Sequence, residues 1–476
     1  MQKKSILTFF YILIILSAFF NYVSYDEAWN FAMAENFAKY QNMVSFHGLL
    51  LNEYFYQAFY QSKIYLFFNS INYYFFYRIL SLFCTLLSFF FLNKILNNYF
   101  TNQKRYFIFS YILFVYWFCF HTGGVSSRPD SIVAFALIYF IYSVININSY
   151  KIFFITSTII NFTVLLLHPN IIPLIAINVL IIFYLLFKNK FYIILISLLF
   201  FSVFLFQSFL IDFFDTYQHA SKRYLQSESK NFLDISLLFQ NIQKDILLQG
   251  RYRHLYNYYP ITYYILFLGY VLILIYIFFI KNYENFVFNF SLFLFFLWSF
   301  FFLISPVKWL HHFAIIFGIF SILIPYMLFN IEKKIFQVFK KKVVTRYIIY
   351  MSVFFIVIIV GKLFYYSTNN YFLFKLVSKN FNIANNIFPK MYENDLKIQK
   401  IKNENLNKNF YSDPVFKFIF VNAKYLGNKF YLIEKSPDFI IIDSQFERCN
   451  YFKKFKKNYK LVDSFEINGK KWHYCK

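Results

Sequence analysis

The chain has 476 residues, of which 59% are hydrophobic and only 14% are charged. Soluble domains carry about 25% charged residues, so this composition excludes an ordinary soluble fold and predicts a protein with several membrane spans. The formal net charge is +25, but the basic residues are spread through loops and the C-terminal region without a nucleic-acid-binding motif. Membrane orientation and anionic lipid head groups account for the excess, and we expect no nucleic-acid partner.

Apolar runs of about the length that spans a bilayer, 17–25 residues, recur along the sequence. Lys3 and Lys4 precede the first run as in a signal peptide, but that run is long and lacks a small-residue cleavage site, so we interpret it as a retained span. The sequence predicts eleven transmembrane helices, near residues 5–23, 75–93, 106–121, 131–148, 152–167, 171–187, 191–211, 261–280, 286–304, 310–329 and 347–363.

Basic residues are distributed unequally between the two sides of these predicted spans. Short outside turns carry only Arg128 and Lys308, which fits the rule that cytoplasmic loops are enriched in Lys and Arg. With the N-terminus inside, the cytoplasmic segments are Lys3-Lys4, 94–105, Lys151, 188–190, Lys281 and 333–346. The larger outside segments are then residues 24–74, 212–260 and the C-terminal region.

The sequence therefore predicts a transmembrane domain, residues 1–363, followed by an extracytoplasmic domain, residues 364–476. In the second domain, short or alternating apolar runs predict strands of a small mixed α/β fold at Val415–Val421, Phe430–Ile433 and Phe439–Asp443. Cys449 and Cys475 can form a disulfide if this domain lies outside, although the sequence does not show that they are close.

An acidic pair, Asp26 and Glu27, follows the first span directly. A carboxylate at the boundary between water and membrane can act as a general base, because partial desolvation raises its pKa. The structural alternative is that Asp26 caps a helix beginning at Ala28. In residues 28–40, Trp29, Ala32, Met33 and Phe37 have the spacing of an amphipathic helix lying on the membrane surface.

The outside turn His121–Asp130 precedes the fourth span and contains Arg128 and Asp130. Asp130 complements the positive end of that helix, which explains it structurally. Arg128 is costly at this depth without an anionic partner, so it is a candidate ligand for phosphate.

The segment Ser305–Phe313 places Lys308, His311 and His312 at the outer ends of the ninth and tenth spans. On a helix, one of the two histidines shares a face with Lys308, and together they can hold a phosphate. Anchoring at the membrane interface is the alternative for Lys308. Arg251, His254 and His168, also outside, are weaker candidates for contacts to phosphate or sugar, since exposed loop residues are commonly solvated.

These features resemble GT-C glycosyltransferases, integral-membrane enzymes that use polyprenyl-phosphate sugars and include protein mannosyltransferases and lipid A aminoarabinose transferases. The resemblance rests on the acidic pair after the first span, the surface helix and the Arg128-Pro-Asp130 turn, and it covers roughly residues 5–330 and a small outer C-terminal domain. Ser305–Phe313 also resembles the Pro-Thr-Lys-Trp-Thr-His-His-Phe segment of mycobacterial arabinosyltransferases.

The resemblance implies an α-helical polytopic enzyme of a bacterial inner membrane, with a lipid-linked sugar as donor and a glycan, lipid or protein as acceptor. It places the base on Asp26 and the donor phosphate at His311 or His312. From the residues themselves, Lys308, with Arg128 or Arg251, is a further candidate for stabilising the departing phosphate. Asp130, His168 and His254 are candidates for contacts to substrate. Glu27 either orients Asp26 or shares a divalent cation with it; the sequence leaves the metal requirement open.

Two other function classes remain open on the sequence alone. An O-antigen or polysaccharide polymerase or ligase also acts on lipid-linked sugars with outside Arg and His residues. A flippase or transporter would instead place ionisable residues near the middle of the bilayer, whereas here they cluster at the ends of the spans.

Overall fold

The computed structural model describes a large part of the chain, in segments separated by gaps. The described residues are 2–21, 27–28, 31, 78–121, 125–126, 130–146, 150–165, 174–181, 260–280, 284–304, 313–335, 341–380, 389–413, 415–420, 422–427, 436–444, 449, 458–467 and 470–476.

Helices dominate these residues, as the composition requires in lipid, where each backbone polar group must be bonded within its own segment. The helices of the apolar part are α1 (Gln2–Phe20), α2 (Ile79–Tyr99), α3 (Phe107–Leu113), α4 (Asp130–Ile145), α5 (Tyr150–Leu165), α6 (Pro260–Ile275), α7 (Phe286–Ile304), α8 (Phe313–Ile335) and α9 (Lys341–Asn369). A 3₁₀ helix (Thr101–Tyr106) precedes α3, and π-helical turns extend α3 through Phe114–His121 and α6 through Tyr276–Ile280.

The apolar runs of the sequence coincide with these helices. Each predicted span overlaps a helical segment of the structure except residues 191–211, which lie outside the described residues. By length and composition, helices at Ile79–Tyr99, Ile315–Lys334 and Tyr350–Asn369 can cross a membrane, and shorter apolar helices accompany them within the described part. The total of eleven spans stays a prediction.

The chain forms two compact units. The first comprises residues 1–10, 83–124 and 129–356. In it α8 packs against α3, α4 and α7, and α4 packs against α5. Arg105 in the 3₁₀ helix forms an ion pair with Glu332 of α8, whose side chain is buried. This pair fixes the 3₁₀ helix to α8.

The second unit comprises residues 11–82, 125–128 and 357–476. Its C-terminal part contains α10 (Tyr371–Asn380), α11 (Pro389–Glu404), β1 (Asn409–Tyr411), α12 (Val415–Ile419), β2 (Lys424–Gly427), β3 (Phe439–Asp443), β4 (Leu461–Ile467) and β5 (Lys470–Cys475). The sheet has the order β2-β1-β3-β5-β4. β1 pairs in parallel with β2 and β3, and β5 pairs antiparallel to β3 and β4, so the sheet is mixed.

The core of this unit lies between the sheet and the helices α10, α11 and α12. Phe416 of α12 stacks edge-on against Trp472 of β5, with ring centroids 4.8 Å apart. Phe410 and Phe439, on adjacent strands, stack with centroids 5.3 Å apart. α11 contributes Ile398 and Ile401 to the same cluster. The prediction of a small mixed α/β fold in this region is confirmed, while the boundary at residue 363 stays a prediction.

One predicted strand is wrong. Val415–Ile419 is helical, although the mostly apolar run Val415–Val421 predicted a strand. The side chain of Asp413 accepts a hydrogen bond from Val415 N (3.0 Å) and its carbonyl accepts one from Phe416 N, which starts a helix. Val415, Phe416 and Ile419 then meet the core together. The strand predicted at Phe439–Asp443 is confirmed, and Phe430–Ile433 lies outside the described residues.

A disulfide joins Cys449 to Cys475, with Cα atoms 5.9 Å apart. Tyr411, Ile440, Ile442 and Tyr459 surround it on one side of the sheet. The sequence left this pairing open, and the structure establishes it. Cys84 and Cys119 are not in a disulfide, and both are buried.

Loss of the disulfide should destabilise the C-terminal region. It closes a loop of 26 residues, so Cys449→Ser and Cys475→Ser should each lower stability by about 3 kcal/mol, chiefly by loosening the unfolded chain. Limited proteolysis of the purified protein would measure the change. In denatured, unreduced wild-type protein only Cys84 and Cys119 should be alkylated; alkylation of all four cysteines would contradict the disulfide.

Candidate active site at the end of the first helix

Of the residues that the sequence proposes for a site, the structure describes Glu27 and Asp130. Those that lie outside the described residues are Asp26, Arg128, His168, Arg251, His254, Lys308, His311 and His312. Their proposed roles stay predictions. Of the acidic pair, the structure therefore describes the second residue, Glu27.

Glu27 is fully buried, and its partner is Arg78, the residue before α2; they are 0% and 1% exposed. Arg78 Nε donates to Glu27 Oε1 at 2.7 Å, and Arg78 Nη2 donates to Glu27 Oε2 at 2.6 Å. This bidentate geometry, with two parallel N–H···O bonds, is a strong arrangement for an arginine and a carboxylate. Burial of two charges costs several kcal/mol for each ion, so such a pair is tolerated only when its hydrogen-bonding groups are satisfied.

Arg78 also bonds to the end of α1. Its Nη1 donates to the carbonyl oxygens of Ala18 and Asn21, each at 2.7 Å. The last carbonyls of a helix have no partner within that helix, and α1 has no basic residue in its last turn. Arg78 supplies the missing positive charge from a distant part of the sequence, and it commits at least four of its five N–H groups in doing so.

Asn370, between α9 and α10, is a second donor to the carbonyls at the end of α1. Its Nδ2 donates to the carbonyl oxygens of Phe20 (3.2 Å) and Asn21 (3.1 Å). The end of α1 is thus bonded by a guanidinium group that also holds Glu27 and by an amide group from the C-terminal region. Asp26 lies in the short segment between Asn21 and Glu27, both of which are fixed.

Ala28 and Phe31, which follow Glu27, pack into protein. Residues 27, 28 and 31 are helical, and Ala28 and Phe31 belong to the hydrophobic core that includes Tyr371, Ile398 and Phe410. The sequence predicted a helix here with its apolar face on the membrane surface. The residues of that face, Trp29, Ala32, Met33 and Phe37, lie outside the described part, so this prediction stays untested.

Sequence reasoning missed Arg78 and Asn370. Arg78 carried a signal, because it lies inside the predicted span 75–93, and an arginine within a span is rare unless it has a partner or a function. Asn370 carried no such signal, since asparagine is common in this sequence and its role depends on a helix that ends 350 residues earlier.

Asp130 is the first residue of α4 and is 5% exposed. A carboxylate in the first turn stabilises the exposed N–H groups of a helix, as the sequence predicted for this position. Among the residues that the structure describes, no group of three or more His, Cys, Asp or Glu side chains could hold a metal ion.

The comparisons with known proteins concern the fold. No protein-family model matches this sequence, and no curated protein matches it. Two crystal structures of ArnT from Cupriavidus metallidurans do match the structure. One, bound to undecaprenyl phosphate, has a TM-score of 0.52 and 11% identity over 99% of this chain and 98% of that chain. The other, in the apo state, has a TM-score of 0.53 and 10% identity over 100% and 98%.

The chain has the fold of ArnT. The likeness confirms a mostly helical polytopic fold with a small mixed sheet, and the GT-C assignment stays a prediction. The match extends over both units, including the small mixed sheet. At 10–11% identity it concerns the fold alone, and the resemblance of Ser305–Phe313 to arabinosyltransferases stays a prediction.

Removal of one partner of the buried pair should be costly. Glu27→Gln leaves the Arg78 charge uncompensated and should destabilise the protein by about 3–5 kcal/mol. Arg78→Met should cost at least as much, because the carbonyls of Ala18 and Asn21 also lose a donor. The double variant Glu27→Gln/Arg78→Met should be no less stable than Arg78→Met alone, since it also removes the carboxylate charge that loses Arg78 in the single variant.

Thermal unfolding in detergent would measure these differences. Lys397→Met is the matched control, because the ion pair between Lys397 and Asp463 is 46% and 37% exposed and should contribute less than about 1 kcal/mol. Additive losses in the double variant would contradict a coupled buried pair.

Proposed function

We propose that this protein is a GT-C type membrane glycosyltransferase that moves a sugar from a polyprenyl-phosphate donor to an acceptor hydroxyl. The observation that carries the proposal is the ArnT fold over the whole chain, together with the buried Glu27 shortly after α1, whose two carboxylate oxygens both accept hydrogen bonds from Arg78. ArnT itself binds undecaprenyl phosphate, and we extend that class of lipid to this chain.

In the proposed reaction Asp26 is the general base. The acceptor oxygen attacks the anomeric carbon as Asp26 removes the hydroxyl proton. The bond between that carbon and the phosphate oxygen breaks, and polyprenyl phosphate leaves with the electron pair. Attack from the face opposite the leaving group inverts the configuration. A phosphate leaving group needs no strong general acid, so one well-placed carboxylate is sufficient.

The cationic residues stabilise the charge that develops on the leaving phosphate. We assign Lys308, His311 and His312 to this role, with Arg128 and Arg251 as further contacts. Asp130, His168 and His254 are assigned to contacts with substrate. These assignments rest on the sequence.

Glu27 is assigned the role of orienting Asp26. Both of its oxygens accept hydrogen bonds from Arg78, which supports this role over that of a free carboxylate ligand for a divalent cation. The buried ion pair fixes the backbone next to Asp26, and a base must be held accurately to reach the acceptor proton.

We place the C-terminal domain on the extracytoplasmic side of a bacterial inner membrane. The disulfide between Cys449 and Cys475 supports this orientation, because disulfides persist in oxidising compartments and are rare in the cytosol. The acceptor, which is a glycan, a lipid or a protein, would then be reached from the extracytoplasmic side of the membrane.

Asp26→Asn should abolish sugar transfer while the protein remains folded and inserted. The amide cannot accept the acceptor proton, so the rate should fall by about a hundredfold or more. The measurement is a transfer assay in membranes with a panel of polyprenyl-phosphate sugars, which also separates transfer from transport of the intact lipid. Asp463→Asn is the control, since it removes a partly exposed carboxylate from the edge strand β4. Normal transfer by Asp26→Asn would exclude Asp26 as the base.

His311→Ala and His312→Ala should weaken donor use to different degrees. Adjacent residues of a helix point about 100° apart, so only one of them shares the face of Lys308. Initial rates at varied donor concentration, with fixed acceptor, would show which KM rises. Two equal and negligible effects would instead favour anchoring of this segment at the membrane interface.

A further inference from the structure

The C-terminal domain contacts residues on both sides of the acidic segment, residues 22–27, which contains Asp26. Before it, the Asn370 amide donates to the carbonyls of Phe20 and Asn21. After it, Ala28 and Phe31 are part of the domain's own hydrophobic core. All these residues belong to the second compact unit, so the contacts lie within one body.

Asn370 is fully buried and uses both ends of its amide. The Nδ2 group bonds to α1, while Oδ1 accepts a hydrogen bond from Leu373 N at 3.1 Å and so caps α10. Phe374 N also donates to the Asn370 carbonyl at 2.9 Å. One side chain therefore joins the carboxyl end of α1 to the amino end of α10.

α10 is in turn fixed to α11 through Asp395. Tyr371 Oη donates to Asp395 Oδ1 at 2.7 Å, and Lys375 Nζ donates to Asp395 Oδ2 at 2.8 Å. Gln399 Nε2 donates to Asp395 Oδ1 at 3.3 Å. Burial raises the pKa of Tyr371 well above its ordinary value, and the Asp395 charge adds to this effect. Tyr371 hence remains a protonated donor at physiological pH.

Tyr371 also packs in the core that holds Ala28 and Phe31. A continuous set of bonds and apolar contacts thus runs from the sheet through α11 and α10 to the end of α1. The side chains nearest to α1 in this connection are buried: Asn370, Tyr371, Phe31 and Ala28 are each at most 2% exposed.

We infer that the C-terminal domain is a positioning element for the acidic segment, with Asn370 as the positioning residue. The inference rests on the proposed function, in which Asp26 is the base. Asn370 acts through the α1 carbonyls and touches no substrate in this scheme. A displacement of about 1 Å at a catalytic group can lower the rate by about a hundredfold, so the loss of two fixed hydrogen bonds at this point should be visible in turnover.

The test is Asn370→Asp. Aspartate caps helices as well as asparagine does, so the bond from Leu373 N is retained. The donor to Phe20 and Asn21 is lost, and a carboxylate oxygen faces their carbonyls instead. We expect kcat to fall by about 10- to 100-fold while KM for the polyprenyl-phosphate sugar changes by less than about threefold.

The matched control is Asn405→Asp. Asn405 is a buried asparagine of the same domain whose Nδ2 donates to the Ile401 carbonyl (2.7 Å) and to Tyr474 Oη (2.9 Å). It undergoes the same chemical change without touching α1. It should lower the melting temperature and leave kcat unchanged below that temperature. If kcat falls equally in both variants, Asn370 has only a structural role and the inference is overturned.

A readout other than activity separates this inference from the proposed function. In an Asp26→Cys background, Asn370→Ser keeps a capping hydroxyl but cannot serve both carbonyls, and it should increase the rate at which Cys at position 26 reacts with a hydrophilic maleimide. An unchanged rate overturns the positioning role, even if Asn370→Asp fails to fold. Normal transfer by Asp26→Asn, by contrast, would remove the proposed base and leave the labelling result valid.

Discussion

The buried contact between Arg78 and Glu27 is the interaction on which the acidic segment depends. A guanidinium group in a largely apolar protein is tolerated only when its charge is compensated and its N–H groups are bonded. Here the carboxylate compensates the charge, and the α1 carbonyls of Ala18 and Asn21 accept two further hydrogen bonds. The end of α1, Glu27 and the start of α2 are consequently held by one side chain.

The C-terminal domain extends this constraint. Its sheet is small, and its core is completed by residues that lie far away in the sequence, Ala28 and Phe31. Asn370 adds hydrogen bonds to the same helix end. A domain whose core includes Ala28 and Phe31 can stabilise these residues as well as itself. The match to ArnT extends over this domain and the membrane helices alike.

Some of this arrangement could be read from local patterns. Apolar run length located the helices, because a span needs about 20 apolar residues whatever its neighbours are. The apolar run Phe439–Asp443 indicated a buried strand correctly. Val415–Ile419 did not form the strand that its apolar residues predicted, since the Asp413 cap and the packing of Phe416 against Trp472 favour a helix there. Short segments with few hydrogen bonds of their own adopt the structure that their surroundings stabilise.

The sequence by itself determined the membrane class, the positions of the apolar helices, the acidic pair after α1 and the resemblance to GT-C enzymes, because hydrophobicity and motif spacing are local properties. Only the tertiary structure decided that Glu27 pairs with Arg78, 51 residues away, that Cys449 pairs with Cys475, and that Asn370 caps α1 from 350 residues away. Such partners are fixed by how distant elements pack, and a buried charge or carbonyl bonds to whichever donor the fold brings within reach.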